Sequence, residues 1–212
     1  MRKENEEFER RAYSATFETR EDNGNGIITG RPIVYDSRTN LGWFDEVIDV
    51  GALDGADLTD VRLCLNHDTS YVYARSRRNN QNSTMHLNVT QHGLEIEAQL
   101  AVEESPRAKD FYSAVKRGDI DKMSFMFRVD RDSWENLESD HPTRHITKIS
   151  SVLEVSAVTF PAYDSTAIDA RGGEALESAR SVLERARQQN AAPMEMGELA
   201  LAKAKFEFMA KL

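Results

Sequence analysis

The chain has 212 residues, a formal net charge of -9, a pI near 5.1 and one cysteine, Cys64. That length suits one domain of ordinary size with an appendage, and the acidic field argues against nucleic acid or an anionic membrane as partner. A lone cysteine excludes an internal disulfide, no run reaches the roughly 18 to 20 apolar residues of a membrane span, and the charged start lacks the apolar core of a signal peptide, so a cytosolic protein is expected.

In chain order, Tyr13, Ala15 and Phe17 alternate with polar residues and lead into Asp22-Asn23-Gly24-Asn25-Gly26, whose residues tolerate positive φ. A hairpin is predicted, with its return strand over residues 27–35 and a bulge or edge position at Gly30-Arg31-Pro32. Trp43, Phe44, Val47 and Ile48 form an apolar patch, and Gly51-Ala52-Leu53 is expected to open a short helix. Val61, Leu63 and Leu65 then share one face of a strand, and the same parity carries His67 to the core side at its end. An imidazole there, with an ordinary pKa of about 6.5, is either a proton carrier or a histidine satisfied by a neighbouring carbonyl. Asp68 either orients it or caps the next turn.

Residues 70–82, with Arg75, Arg77 and Arg78, read as a mobile loop. Leu87 and Val89, then Leu94, Ile96, Ala98 and Leu100, flank Gln91-His92-Gly93 as a second hairpin. Ser105-Pro106 starts a helix with an apolar stripe of Ala108, Phe111 and Val115, and Gly118 takes the left-handed cap at its end. Next, Met123, Phe125, Phe127 and Val129 recur at the strand period, which puts Ser124 on the opposite face. Residues 130–144 read as a polar loop.

From His145 the alternation returns, with Ile149, Leu153, Val155 and Ala157 on one side and Glu154 and Ser156 on the other. A carboxylate within an apolar strand is costly to bury unpaired, so Glu154 either orients a histidine or faces solvent. After Arg171-Gly172-Gly173, two amphipathic helices follow, one through Leu176, Ala179, Leu183 and Ala186 and one through Leu199, Ala202, Phe206 and Met209. They read as an appended interaction segment, giving a core over residues 1–171 and a tail over 172–212.

Several site classes lack their residues. There is no Gly-rich phosphate loop, Gly-x-Ser-x-Gly elbow or Cys-x-x-Cys pair. His141 and His145 have a zinc-like spacing, but Pro142 interrupts them and no second ligand pair is present, so neither metal nor cofactor is expected. Cys64 beside His67 is an alternative thiol nucleophile, although its strand parity opposes that of His67. The remaining combination is Ser124, His67 and Glu154.

The chain resembles the prohead (capsid maturation) protease family of tailed bacteriophages. The matching pieces are Gly30-Arg31-Pro32-Ile33-Val34-Tyr35, Phe44-Asp45-Glu46-Val47-Ile48 with Gly51-Ala52-Leu53, Leu65-Asn66-His67-Asp68 and Gly93-Leu94. They continue with Val115-Lys116-Arg117-Gly118-Asp119-Ile120, Met123-Ser124-Phe125 with Phe127, Leu153-Glu154-Val155-Ser156, and Phe160-Pro161-Ala162-Tyr163 with Thr166. They are specific as a set and span about residues 13–171.

The resemblance implies a serine endopeptidase similar to herpesvirus assemblin, an α+β fold with a mainly antiparallel β-barrel surrounded by helices. It implies Ser124 as nucleophile, His67 as general base and acid, and Glu154 as third member, where assemblins use a second histidine. Backbone amides near Arg171, or in the loop after the Ser124 strand, are the candidate oxyanion donors. The implied setting is the assembling prohead in the host cytoplasm, the partner the major capsid protein with its scaffold segment, and the oligomer a dimer. Cleavage of the chain itself is also implied, with the helical tail as a targeting or self-cleaved segment. The alternative is a non-enzymatic capsid assembly factor of the same fold.

Overall fold

The computed structural model describes residues 8–14, 17–22, 24–159 and 177–190. The strands are β1 (Glu9–Ser14), β2 (Glu18–Asp22), β3 (Asn25–Val34), β4 (Thr39–Asn40), β5 (Asp45–Ile48) and β6 (Asp60–Leu65), then β7 (Ala74–Arg77), β8 (Met85–Thr90) and β9 (Gly93–Leu100). Helix α1 (Pro106–Lys116), β10 (Lys122–Glu135) and β11 (Thr143–Val158) follow, and a second helix, α2, spans residues 177–190. The result is an α+β fold of two sheets.

One sheet runs β1-β10-β11-β5-β4, with β6 on a further stretch of β11 and β7 on β6; the other is β2-β3-β9-β8. The expected barrel does not form: the sheets are separate and not closed, and β11 takes both β5 and β6 as parallel partners. β5 and β6 are successive lengths of chain along one edge of β11, beside residues 143–146 and 154–157, with residues 49–59 looping out between them. That excursion is a series of turns rather than the expected helix at Gly51, because Gly51 and Gly55 adopt φ of 82° and 75°.

The core lies between the sheets. Leu63, Phe125, Phe127 and Val155 from one meet Ile28, Ile33, Leu94 and Ile96 from the other, with Phe111 and Val115 of α1. Each fully buried side chain of this size contributes about 1.5–3 kcal/mol. Helix α1 is bounded as its sequence predicts. The Ser105 hydroxyl accepts from Ala108 N, and at the other end Gly118 (φ 78°) lets Gly118 N reach Val115 O and Asp119 N reach Ala114 O. This closure aims the chain into β10.

Several expectations are corrected. The strand through Tyr13 and Phe17 is two strands, β1 in the first sheet and β2 in the second, with Ala15 outside the described residues. The β2–β3 hairpin and the irregularity between Gly30 and Ile33 are as expected. The supposed loop at 70–82 contains β7, and Arg75 donates to both Asp60 oxygens at 2.6 and 2.7 Å. The supposed loop at 130–144 shrinks to 136–142, since β10 and β11 run on as a long hairpin. Residues 130–133 are exposed, so no apolar alternation marks that part of β10.

Helix α2 does not stand apart. Its Ala179 and Leu183 pack with Leu41 and Phe44, beside Trp134 and Leu137, while Arg187 donates to Leu137 O and Ser139 O. The expected helix through Leu199 lies outside the described residues.

A buried ion cage ties the edges of the first sheet together. Arg11 donates to Glu9 at 2.6 Å and to Glu46 at 2.5 and 2.9 Å; Arg144 donates to Glu9 at 2.6 and 3.0 Å, to Glu46 at 3.0 Å and to Asp132 at 2.7 Å. Four strands, β1, β5, β10 and β11, are thereby fastened. Burial pushes the Glu9 carboxyl up, but the Arg144 and Arg11 charges outweigh it and hold it down to about 2, against an ordinary 4.5.

Because the folded value is the lower one, the contribution of Glu9 is whole above about pH 4.5 and is lost as pH falls toward 2. Urea unfolding at stepped pH is expected to show stability declining across that window, with a shallower decline in Glu9→Gln. Arg144→Met leaves buried carboxylates short of a partner and is expected to cost about 3–5 kcal/mol at neutral pH, read from the same denaturation curves.

Candidate active site

The residues of interest lie on the face of the first sheet that points away from the core. Ser124 on β10 is the register partner of Ala12 on β1 and of Ser156 on β11, and Ser156 in turn pairs with Cys64 on β6. Residues paired in register put their side chains on one face, and adjacent strands lie about 4.8 Å apart. Ser124, Ser156 and Cys64 therefore form a row across three strands. Glu154, two residues before Ser156, shares that face.

A bulge sets this parity. The pairing steps from Met126 with Glu154 to Phe127 with Val152, leaving Leu153 as the extra residue. Val152, rather than the expected Leu153, joins the buried core cluster. Thus β11 buries apolar side chains on both sides of the bulge while Glu154 and Ser156 face the other way.

His67 reaches the same face by a route that strand parity does not predict. β6 ends at Leu65, and Asn66 and His67 have φ of 51° and 60°. Two left-handed residues in succession turn the chain back over the sheet. The turn is pinned to β11: Asn66 N donates to Ala157 O at 2.9 Å, Thr159 N donates to Asn66 Oδ1 at 2.9 Å, and His67 N donates to Ser156 Oγ at 3.2 Å. The expectation of a core-side His67 fails because it continued the period of two through a pair of residues that leave the strand conformation.

The turn brings His67 Nδ1 to 2.5 Å from Glu154 Oε1. Glu154 is fully buried and so does not face solvent, the other option open from sequence. Its second oxygen, Oε2, accepts from the Ser156 hydroxyl at 2.6 Å. With a carboxylate as acceptor, Nδ1 is the donating nitrogen. Among the described residues Nε2 has no hydrogen-bond partner.

Ser124 is almost wholly buried, and its hydroxyl donates to Arg11 O at 2.8 Å rather than to the imidazole. Its strand position adjoins Ser156, on which the His67 backbone rests. Burial and then the Glu154 charge push the Cys64 thiol up to about 12, which removes the thiolate that a cysteine nucleophile needs. Contrary to its expected separation from the histidine, Cys64 lies opposite Ser156 on the face that His67 reaches.

Other sequence candidates have structural occupations. Asp68 accepts from Ser70 N and Ser70 Oγ, so it caps the turn and does not orient His67. His141 and His145 each hydrogen-bond a carboxylate, Asp45 and Asp49 respectively. Among the described residues no group of three or more His, Cys, Asp or Glu is placed to hold a metal, and no helix is long and apolar enough to cross a membrane. Of the two oxyanion expectations, Arg171 lies outside the described residues, and the loop after β10 begins at Asn136. That loop is about 40 Å of strand away from Ser124 at roughly 3.3 Å per residue.

Sequence reading missed two participants in this geometry. Ser156 was visible as the residue two beyond Glu154 on the same strand face, and Asn66 as the residue type that accepts a left-handed turn at a strand end.

A family model described as caudovirus prohead serine protease matches residues 13–179, from the end of β1 into α2. No curated protein and no solved structure matches the chain. With most of its length covered by that model, the chain belongs to the caudovirus prohead serine protease family, serine peptidases of phage capsid maturation.

Proposed function

We propose that Ser124, His67 and Glu154 are the catalytic triad of an endopeptidase that cleaves the scaffold segment of the major capsid protein inside the assembling prohead, and also cleaves its own chain. The observation that carries this reading is the 2.5 Å contact between His67 Nδ1 and a wholly buried Glu154, one strand away from the Ser124 position. A buried carboxylate bound to an imidazole whose other nitrogen is left open is the arrangement that prepares a general base.

In this mechanism the Ser124 hydroxyl leaves Arg11 O by rotation about its χ1 and gives its proton to His67 Nε2 as Oγ attacks the peptide carbonyl. Glu154 holds the ring with Nε2 outward and stabilises the imidazolium. The imidazolium then protonates the departing amine, and water completes the cycle through the same base. Burial of Glu154 strengthens its effect on the imidazolium because solvent does not reach the carboxylate itself.

The core of residues 1–171 carries this chemistry, and residues 172–212 serve as a targeting or self-cleaved segment. Assembly as a homodimer is part of the proposal, by resemblance to assemblins. No nucleic-acid or membrane step is assigned, in keeping with the net charge of -9.

Co-expression with the cognate major capsid protein tests the assignment. The wild-type chain is expected to shorten the capsid protein, and Ser124→Ala to leave it full length; shortening that persists in Ser124→Ala refutes Ser124 as nucleophile. Glu154→Gln keeps the shape but offers an amide donor to the ring and favours the wrong tautomer. Its rate of labelling by an alkyl fluorophosphonate is expected to fall by roughly 10³- to 10⁴-fold, in line with the corresponding change in other serine proteases.

A further inference from the structure

We infer that Ser156 is a positioning residue for the proposed Ser124–His67–Glu154 site, an inference that rests on that reading. Its single hydroxyl joins the two groups that must be held relative to each other. The proton goes to Glu154 Oε2 at 2.6 Å, and the oxygen accepts from the backbone N–H of His67 at 3.2 Å. Ser156 is fully buried, so water does not substitute for either bond.

Each bond has a separate consequence. The bond to Oε2 locks the rotation of the carboxylate, so that Oε1 points at His67 Nδ1. The bond from His67 N holds a residue whose φ of 60° is unfavourable for a side chain with a Cβ. Without it the turn keeps its bonds at Asn66 but His67 loses its own tie to β11, and the ring shifts with the freed backbone. Misplacement by about 1 Å costs on the order of a hundredfold in rate.

Ser156 is not an alternative nucleophile. Its proton is committed to a carboxylate that is itself engaged with the imidazole, and its oxygen is covered by the His67 amide. The row position next to Ser124 places it under the imidazole turn.

Both bonds act on the proposed base and its carboxylate, which work in the bond-forming step. Removing the hydroxyl therefore slows that step rather than the binding that precedes it, a signature that a general loss of packing lacks.

The test is labelling by an alkyl fluorophosphonate over a range of reagent concentrations, which separates reagent binding from the step in which the serine Oγ–P bond forms, P–F breaks, fluoride leaves and the base takes the hydroxyl proton. For Ser156→Ala the bond-forming rate constant is expected to fall about ten- to a hundredfold with the binding constant of the reagent unchanged. Ser156→Cys, which fills the space with a weak donor, is expected to lose less, and carries the test if the alanine variant does not fold. A folded variant with wild-type rate overturns the inference, as does a loss that lies in reagent binding alone. Ser124→Ala is run alongside: labelling that survives there removes the triad reading itself, whereas abolished labelling there with an unaffected Ser156→Ala removes only the role of Ser156.

Discussion

Burial of one carboxylate, that of Glu154, is the constraint around which the far face of the first sheet is built. An ion taken from water carries a penalty of several kcal/mol, and in this protein the compensation comes from His67 and Ser156. Those two partners lie on the turn that leaves β6 and on β11 itself. Only when β6 lies parallel to β11, with Cys64 opposite Ser156 and the left-handed turn closed, do both converge. Assembly of the site and docking of β6 are thus one event. A protein in which the carboxylate lacked its histidine would lose stability along with the proposed chemistry, which couples the two properties more tightly than at an exposed site.

The long β10–β11 hairpin serves two ends of the molecule with different physics. Near the hairpin's open end, the Ser124 row and the Glu154 cluster occupy the face opposite the core, and near its tip Arg144 and Asp132 enter the ion cage. Several register shifts separate these ends, and they are what allow one pair of strands to present different faces at each. A regular ladder would keep one parity from end to end. Either Glu154 would then enter the core or the apolar residues beyond Leu153 would leave it.

Much of this was legible in the residues. The placement of Ser124 followed from Met123, Phe125 and Phe127, because a strand buried on one face obeys the period of two. The α1 helix was bounded by Ser105, Pro106 and Gly118 for local reasons that tertiary structure did not override. What failed did so where a local rule met a non-local partner. His67 was assigned to the wrong side because the backbone of Asn66 and His67 is held left-handed by Ala157, Thr159 and Ser156, which are about ninety residues away. The full length of β10 was missed because residues 130–133 bury little and are held in the strand by pairing with β11. The ion cage left no apolar pattern to find, and its members are scattered from Glu9 to Arg144. The open pair of sheets, in place of a barrel, depends on which edges meet, a property that no strand's own residues encode.

Arg11 connects the two ends of this architecture. Its guanidinium lies in the cage with Glu9 and Glu46, while its backbone carbonyl accepts the Ser124 hydroxyl. The cage therefore fixes the register of β1 on β10, and that register decides which carbonyl faces the serine. In the proposed mechanism the serine must exchange this acceptor for the imidazole, so the strength with which β1 is held enters the energy of the first step. A strand fastened by buried ion pairs keeps its carbonyl in place, so the proposed exchange begins with rotation of the Ser124 side chain between staggered rotamers, a step far faster than bond making.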